Sequence, residues 1–304
     1  MNEGKGTFYH CYQRAADRGV IFYSISDYLM YYTIYCIKAP KYKVKVMKMV
    51  QMPDHVHHSI IEMERLQMSF FLNDVNSTFT RESNHAWGRK GKLFESPFGR
   101  APKYKDKSIR TNLTYLDNNP VERHLVEYAE QYRWNYLAYA VSDHPFSEKI
   151  VLRKASMPLR RALKRVDERH GKGKYLTCTM LQKLFKSLPS KKECEQLTDY
   201  IISTYNIIDH EASVGRFKSY NDELIAAHST TGSEHDLIES FNGTSDLHYN
   251  TMTRILIEAR MVTDIHEIYT MSVNHKRRCY DLLKRKTEAP WRQIASFLHY
   301  KVEE

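Results

Sequence analysis

Cysteine is sparse in this chain, and its spacing carries no pattern. Cys11, Cys36, Cys178, Cys194 and Cys279 stand far apart with no CxxC pair, which excludes a zinc ribbon and a disulfide framework. Long apolar runs are also missing. The longest, Tyr28 to Ile37, falls well short of the roughly 20 residues needed to cross a bilayer. The first residues, MNEGKGTFYHCYQR, contain no apolar signal region. A phosphate-cradling glycine loop is absent too: neither Gly88-Arg89-Lys90-Gly91 nor Gly171-Lys172-Gly173 fits GxxxxGK[ST], so no nucleotide cofactor is expected. Acidic residues are the minority, 36 against 46 Lys and Arg, for a formal net charge of +10. These absences leave a reduced, cytoplasmic protein that does not engage a membrane as the expectation.

What the chain has in quantity is positive charge and tyrosine. Its 304 residues are 42% hydrophobic and include 22 Tyr, enough for a catalytic domain of ordinary size and an accessory one. Lys and Arg neutralise phosphates and aromatic rings stack on bases, so the composition suits nucleic acid. An ordinary basic protein has the same composition, so the motifs must decide.

The first part alternates strands and helices. Gly6 to Gln13 reads as a strand and Ser26 to Ala39 as a helix, with Ser26 as its N-cap and Pro40 as its stop. Lys43 to Met49, KVKVMKM, alternates like a half-buried strand, and a turn at Met52-Pro53-Asp54 leads into a strand over His55 to Met63. A helix over Arg65 to His85, a basic turn, a strand over Leu93 to Ala101 and a helix over Lys107 to Asn118 follow. The order β-α-β-β-α-β, then a helix, is the split-βαβ arrangement. The fold class expected is therefore α+β and ferredoxin-like, with the aromatic run Tyr132, Trp134, Tyr136 and Tyr139 closing a first domain over residues 1–140.

Beyond it the chain reads as mainly helical. Residues 141–245 form a basic helical region, with helices over Ser187 to Tyr205 and Asn221 to Ala227 and a linker at Ser229-Thr230-Thr231-Gly232-Ser233. Its Lys149 to Lys174 stretch is either a DNA-facing element or a solvated face. Residues 246–304 end in two helices: one from His275, and a second with Pro290 at its first position. This helix-turn-helix-like pair would expose Arg292 and Gln293 as readers and bury Trp291, Ile294 and Leu298. A plain helical hairpin is the alternative.

The chemistry sits in two short segments. In Met52-Pro53-Asp54-His55-Val56-His57, strand alternation puts both imidazoles on one face and Val56 on the other. In Tyr115-Leu116-Asp117-Asn118-Asn119-Pro120, helical spacing puts Tyr115 and Asn119 side by side. Two imidazoles, an amide oxygen and a phenol are the groups needed to cut a phosphodiester with a tyrosine nucleophile. Either motif alone is weak, since His pairs at this spacing are common on ordinary strands.

In order, and with Tyr9-His10-Cys11-Tyr12-Gln13-Arg14, Ile21-Phe22-Tyr23 and Tyr132-Arg133-Trp134 around them, the motifs resemble those of the HUH single-tyrosine transposases, specifically the REP-associated tyrosine transposase branch. The resemblance covers residues 7–140, and Trp291-Arg292-Gln293-Ile294-Ala295 is similar to the helical tail of some members. It implies an HUH catalytic domain over residues 1–140 in which His55 and His57 are metal ligands, Tyr115 is the nucleophile and Asn119 is a third, polar ligand. It implies a divalent metal, Mg2+ or Mn2+, as cofactor and single-stranded or hairpin DNA as partner. Cleavage beside hairpins would proceed through a 5′-phosphotyrosine, by a monomer or homodimer in a bacterial cytoplasm, nucleoid-associated when on DNA. Asp54 stands where Asn is common and His58 where an apolar residue usually follows; alternation turns His58 away from the pair. Arg14, Arg89, Lys90, Lys92, Arg100, Lys103 and Lys105 are the expected DNA-binding residues of the first domain, joined in the tail by Arg292 and Gln293. The alternatives are a transposase-derived DNA-binding protein that does not cut, and another HUH nuclease such as a replication initiator. A histidine-triad hydrolase fails because the third alternating position is Ser59, and a zinc protease fails because His266-Glu267 has no second His after it.

Overall fold

The computed structural model describes residues 6–229 and 245–301, and is of mixed α+β class. Strands β1 (Thr7–Arg14), β2 (Lys45–Gln51), β3 (His55–Glu62) and β4 (Gly99–Lys103) form one sheet in the order β2-β3-β1-β4, every neighbouring pair antiparallel. Helix α1 (Ile25–Lys38) connects β1 to β2, α2 (Gln67–Trp87) connects β3 to β4, and α3 (Asp106–Glu122) follows β4.

Local chemistry sets the ends of these elements. Ser24, rather than the expected Ser26, caps α1: its hydroxyl accepts from the Asp27 amide at 3.4 Å, and the Asp27 carboxylate accepts from the Ser24 amide at 2.9 Å. Only Ser24 has an acid three residues on that can reciprocate. Helix α2 ends on Gly88 at φ +62°, a left-handed conformation that glycine adopts without a Cβ penalty. The strand expected over Leu93 to Ala101 starts only at Gly99 and runs on to Lys103 as β4, leaving Phe94 in a single bridge to Ala15. Pro97 lies between them, and a proline cannot donate to a ladder. Helix α3 runs past its expected end, through Pro120 to Glu122.

The sheet has two different faces. One carries Val56 and His58 against α1 and α2; the His58 ring stacks on Tyr35 with centroids 5.1 Å apart and planes 7° apart. This face builds the first core with Leu29, Met30, Ile34, Phe71, Val75 and Phe79. The other face carries His55 and His57 and meets α3. Strand β2 departs from the half-buried alternation expected of KVKVMKM. A register irregularity lies between Val46 and Lys48, and every residue from Val46 to Gln51 is buried.

Helix α4 (Met157–Gly171) packs on α5 (Cys178–Ser187) and α6 (Lys191–Tyr205), which pack on α1, and their Leu159, Leu181, Leu197 and Ile201 extend the first core without a break at residue 140. The helix expected over Ser187 to Tyr205 starts only at Lys191, beyond Pro189, with Ser190 capping it by accepting from the Glu193 amide at 3.2 Å. After α7 (His210–Val214) and α8 (Tyr220–Ser229), the expected linker beyond Ser229 lies outside the described residues. Helices α9 (Leu247–Glu258), α10 (Val273–Lys286) and α11 (Trp291–Phe297) enclose a second core of Met252, Leu256, Leu283, Ile294 and Phe297, into which Val20 of the first part inserts. No helix among the described residues is long and apolar enough to cross a membrane.

Candidate active site

Strand β3 and helix α3 bring the two sequence motifs together. His55 and His57 share the α3-facing side of β3, with ring centroids 4.8 Å apart and planes at 89°. The Tyr115 ring lies 5.9 Å from that of His57. One helical turn on, the Asn119 amide nitrogen donates to the Tyr115 phenolic oxygen at 3.3 Å. All four side chains are buried, Tyr115 at 3% exposure.

Each imidazole has a partner on Nδ1. His55 Nδ1 lies 2.5 Å from Asp54 Oδ1. A carboxylate only accepts, so this bond puts the proton on His55 Nδ1 and leaves Nε2 as a lone pair. Despite burial, the His55 contact and the Arg123 and Arg14 charges hold the Asp54 carboxyl down at about 2. His57 Nδ1 lies 3.0 Å from Nε2 of His10 on β1. Burial, followed by the repulsion that a proton on it would meet from Arg123 and from protons on His55, His10 and His58, holds His57 well below the usual imidazole range, so it is neutral at physiological pH. A neutral imidazole is the form that binds a metal.

The buried acceptors His55 Nε2 and Asn119 Oδ1 make no hydrogen bond among the described residues. Buried polar atoms are rarely left in that condition, and a bound ion is one way of satisfying them. Imidazole nitrogen and amide oxygen suit a first-row divalent cation better than a thiophilic one. The residues therefore fit a divalent ion. Among the described residues no cluster of three or more His, Cys, Asp or Glu side chains is placed to hold one, so such a site depends on the Asn119 amide as well as imidazoles.

Around this set is a charged margin. Asp246, at the entry to α9, is buried, its backbone amide donating to the Arg123 carbonyl at 3.1 Å. Burial and the Asp54 charge push its carboxyl well above the ordinary carboxylate range, and Arg123 opposes them.

No family model matches the chain, and no curated protein matches it. A solved structure of a REP-associated tyrosine transposase bound to a REP hairpin is similar to it at 16% identity and a TM-score of 0.39, over 45% of this chain and 80% of that one. At that TM-score a common fold is not demonstrated.

The structure divides the expected DNA-binding residues. Lys90, Lys92, Arg100, Lys105 and Arg292 are exposed, and Arg14 is half-buried with its guanidinium 5.9 Å from the Tyr12 ring centroid. Arg89 is tied into its own turn, donating to Asn84 Oδ1 at 2.7 Å and to the carbonyls of Gly91 and Lys92. Lys103 is not on the surface: it is buried at 4% exposure, because alternation along β4 turns it inward with Ala101. Gln293 is not an exposed reader either. It is buried, and its Nε2 donates to the Ser245 carbonyl at 3.0 Å. The buried stripe of α11 is Gln293, Ile294 and Phe297, so Trp291, expected in the core, is 45% exposed under the Arg292 guanidinium.

His10 is the site residue to which the sequence assigns no role beyond a family landmark. Its alternation with Tyr12 and Arg14 is legible along β1, but not the register on β3 that sets it diagonal to His57.

Proposed function

We propose that this chain is a metal-assisted, single-tyrosine DNA endonuclease and strand transferase of the HUH, REP-associated kind, acting on single-stranded DNA beside hairpins. In this reading the sheet with α1, α2 and α3 is a ferredoxin-like catalytic unit over residues 1–140, residues 141–245 buttress it, and residues 246–304 form a DNA-binding tail. The observation that carries the reading is that His55 and Asn119 each hold a buried acceptor with no hydrogen bond among the described residues, while the Asn119 amide nitrogen donates to the Tyr115 phenol.

Tyr115 is the nucleophile. Its phenolic oxygen forms a bond to phosphorus, and the bond from phosphorus to the 3′ oxygen breaks. That oxygen leaves as a hydroxyl, taking up the proton the phenol gives up. The 5′-phosphotyrosine conserves the energy of the phosphodiester, so resealing needs no nucleotide hydrolysis. A divalent ion, Mg2+ or Mn2+, held by His55, His57 and Asn119, would polarise the scissile phosphate and offset its developing charge. Asn119 also orients the phenol through its amide N–H, and Asp54 fixes the His55 ring. Lys90, Lys92, Arg100 and Lys105 are the exposed cations placed to neutralise the DNA backbone.

Tyr115 is 3% exposed, so a phosphate reaches it only after the elements over the ring move. That burial favours a second reading, a hairpin-binding protein that no longer cuts. A denaturing gel separates the two. Hairpin-bearing single-stranded DNA labelled at its 3′ end, with Mn2+, should give a covalent adduct with the wild type and none with Tyr115→Phe, which still binds. Tight binding without an adduct in the wild type would remove the catalytic reading, and an adduct surviving in Tyr115→Phe would remove the nucleophile.

A further inference from the structure

We propose that His10 is a positioning residue that holds His57 in the one tautomer able to ligate a metal; this inference rests on the metal-assisted reading of the site. Strand pairing puts Tyr12 opposite His57 and His10 opposite Ser59, so His10 is the diagonal neighbour of His57 across the β1–β3 ladder. Long side chains meet across such a diagonal. Here they do, with His10 Nε2 3.0 Å from His57 Nδ1, ring centroids 5.2 Å apart and both residues fully buried.

A neutral imidazole has one N–H and one lone pair, and the bond made by one nitrogen decides the role of the other. If His57 Nδ1 carries the proton and donates to His10, its Nε2 presents a lone pair to an ion. If His10 donates instead, His57 Nε2 carries hydrogen and is closed to coordination. His55 has no such choice, because its partner Asp54 is a carboxylate. The partner of His57 is another imidazole, which accepts only when its own proton sits on Nδ1. The two ligands are therefore oriented by different chemistry: His55 by an obligate acceptor, His57 by a group that must itself be in the correct tautomer. His10 Nε2 is engaged by His57 and so is not offered to the ion.

The test uses the full chain and two readouts. Mn2+ affinity is measured by following free Mn2+ with electron paramagnetic resonance in the wild type, His10→Leu, His10→Gln, His57→Ala and His58→Phe. Loss of an outer-shell partner typically weakens metal binding by about 10- to 100-fold, and that loss is expected for His10→Leu. His10→Gln should recover most of it, because its amide oxygen can accept from Nδ1, and His58→Phe, on the opposite face of the sheet, should bind like wild type. His10→Leu binding Mn2+ as the wild type does, or His10→Gln no better than His10→Leu, would overturn the inference. Independently of metal, nitrogen-15 spectra of the wild type should show His57 protonated on Nδ1; protonation on Nε2 would overturn it. Wild type binding Mn2+ no better than His57→Ala is a different failure, that of the metal-assisted reading itself.

Discussion

Arg292 and Gln293 are adjacent in α11 and meet opposite environments. Arg292 projects to solvent over Trp291, while Gln293 is buried with its amide on the Ser245 carbonyl. A buried hydrogen bond contributes about 1 kcal/mol net, and more is lost when a partner is left unsatisfied. Gln293→Ala should therefore lower stability by about 1–2 kcal/mol, seen as a thermal midpoint a few degrees lower. Arg292→Ala should leave the midpoint unchanged and weaken hairpin DNA binding. Gln293→Ala melting with the wild type would contradict a structural role for this amide. Burial also separates His58 from its neighbours. Its desolvation, then the repulsion between a proton on it and one on His10, holds it down at about 3, so it stays a neutral core ring stacked on Tyr35.

At the scale of elements, the helix carrying Tyr115 is tied down by a buried ion cluster. The Lys48 ammonium on β2 contacts the Asp117 carboxylate on α3 and lies 2.8 Å from Glu223 on α8. One cation between two carboxylates leaves a surplus of negative charge. Burial, opposed by Lys48 and reinforced by Glu223, accordingly pushes Asp117 above the usual carboxylate range, to about 7. Breaking such a cluster by removing one member strands the others, at about 3–5 kcal/mol, whereas replacing the whole with apolar groups is often neutral. Lys48→Met should lose stability in that range in denaturant titration. Combining it with Asp117→Leu and Glu223→Leu should recover most of the loss. A Lys48→Met protein within about 1 kcal/mol of wild type would show that this cluster does not anchor α3.

Across the whole molecule, the tail docks on the first part through His266. Its ring lies 3.7 Å from that of Trp87 and parallel to it, with Nε2 2.8 Å from Asp27 at the start of α1 and Nδ1 2.6 Å from Asp264. Burial alone would lower its pKa, but the Asp27 charge and the Asp264 hydrogen bond outweigh that and raise it to about 9. A raised folded-state pKa stabilises fully below the unfolded value near 6.5, and the contribution is lost as pH rises through about 9. Wild type should therefore exceed His266→Gln in stability by up to about 3 kcal/mol near neutral pH. That gap should narrow toward pH 10. A gap constant from pH 6 to pH 10 would show that the proton on His266 does not hold the tail.

The sequence by itself determined what is local. The order of strands and helices, the common face of His55 and His57, and the Tyr115–Asn119 pair follow from the strand period of two and the helix period of 3.6, which act between residues a few positions apart. It also held the opposite facing of His58. Tertiary structure alone decided the register of β1 on β3, and so brought His10 to His57 from 47 residues away. It decided that the lysine pattern of β2 is not a solvent face, because α3 and α8 bring Asp117 and Glu223 to cover Lys48. It rotated the buried stripe of α11 onto Gln293 and carried the core past residue 140. Burial depends on what packs from far along the chain, and local spacing carries no record of that.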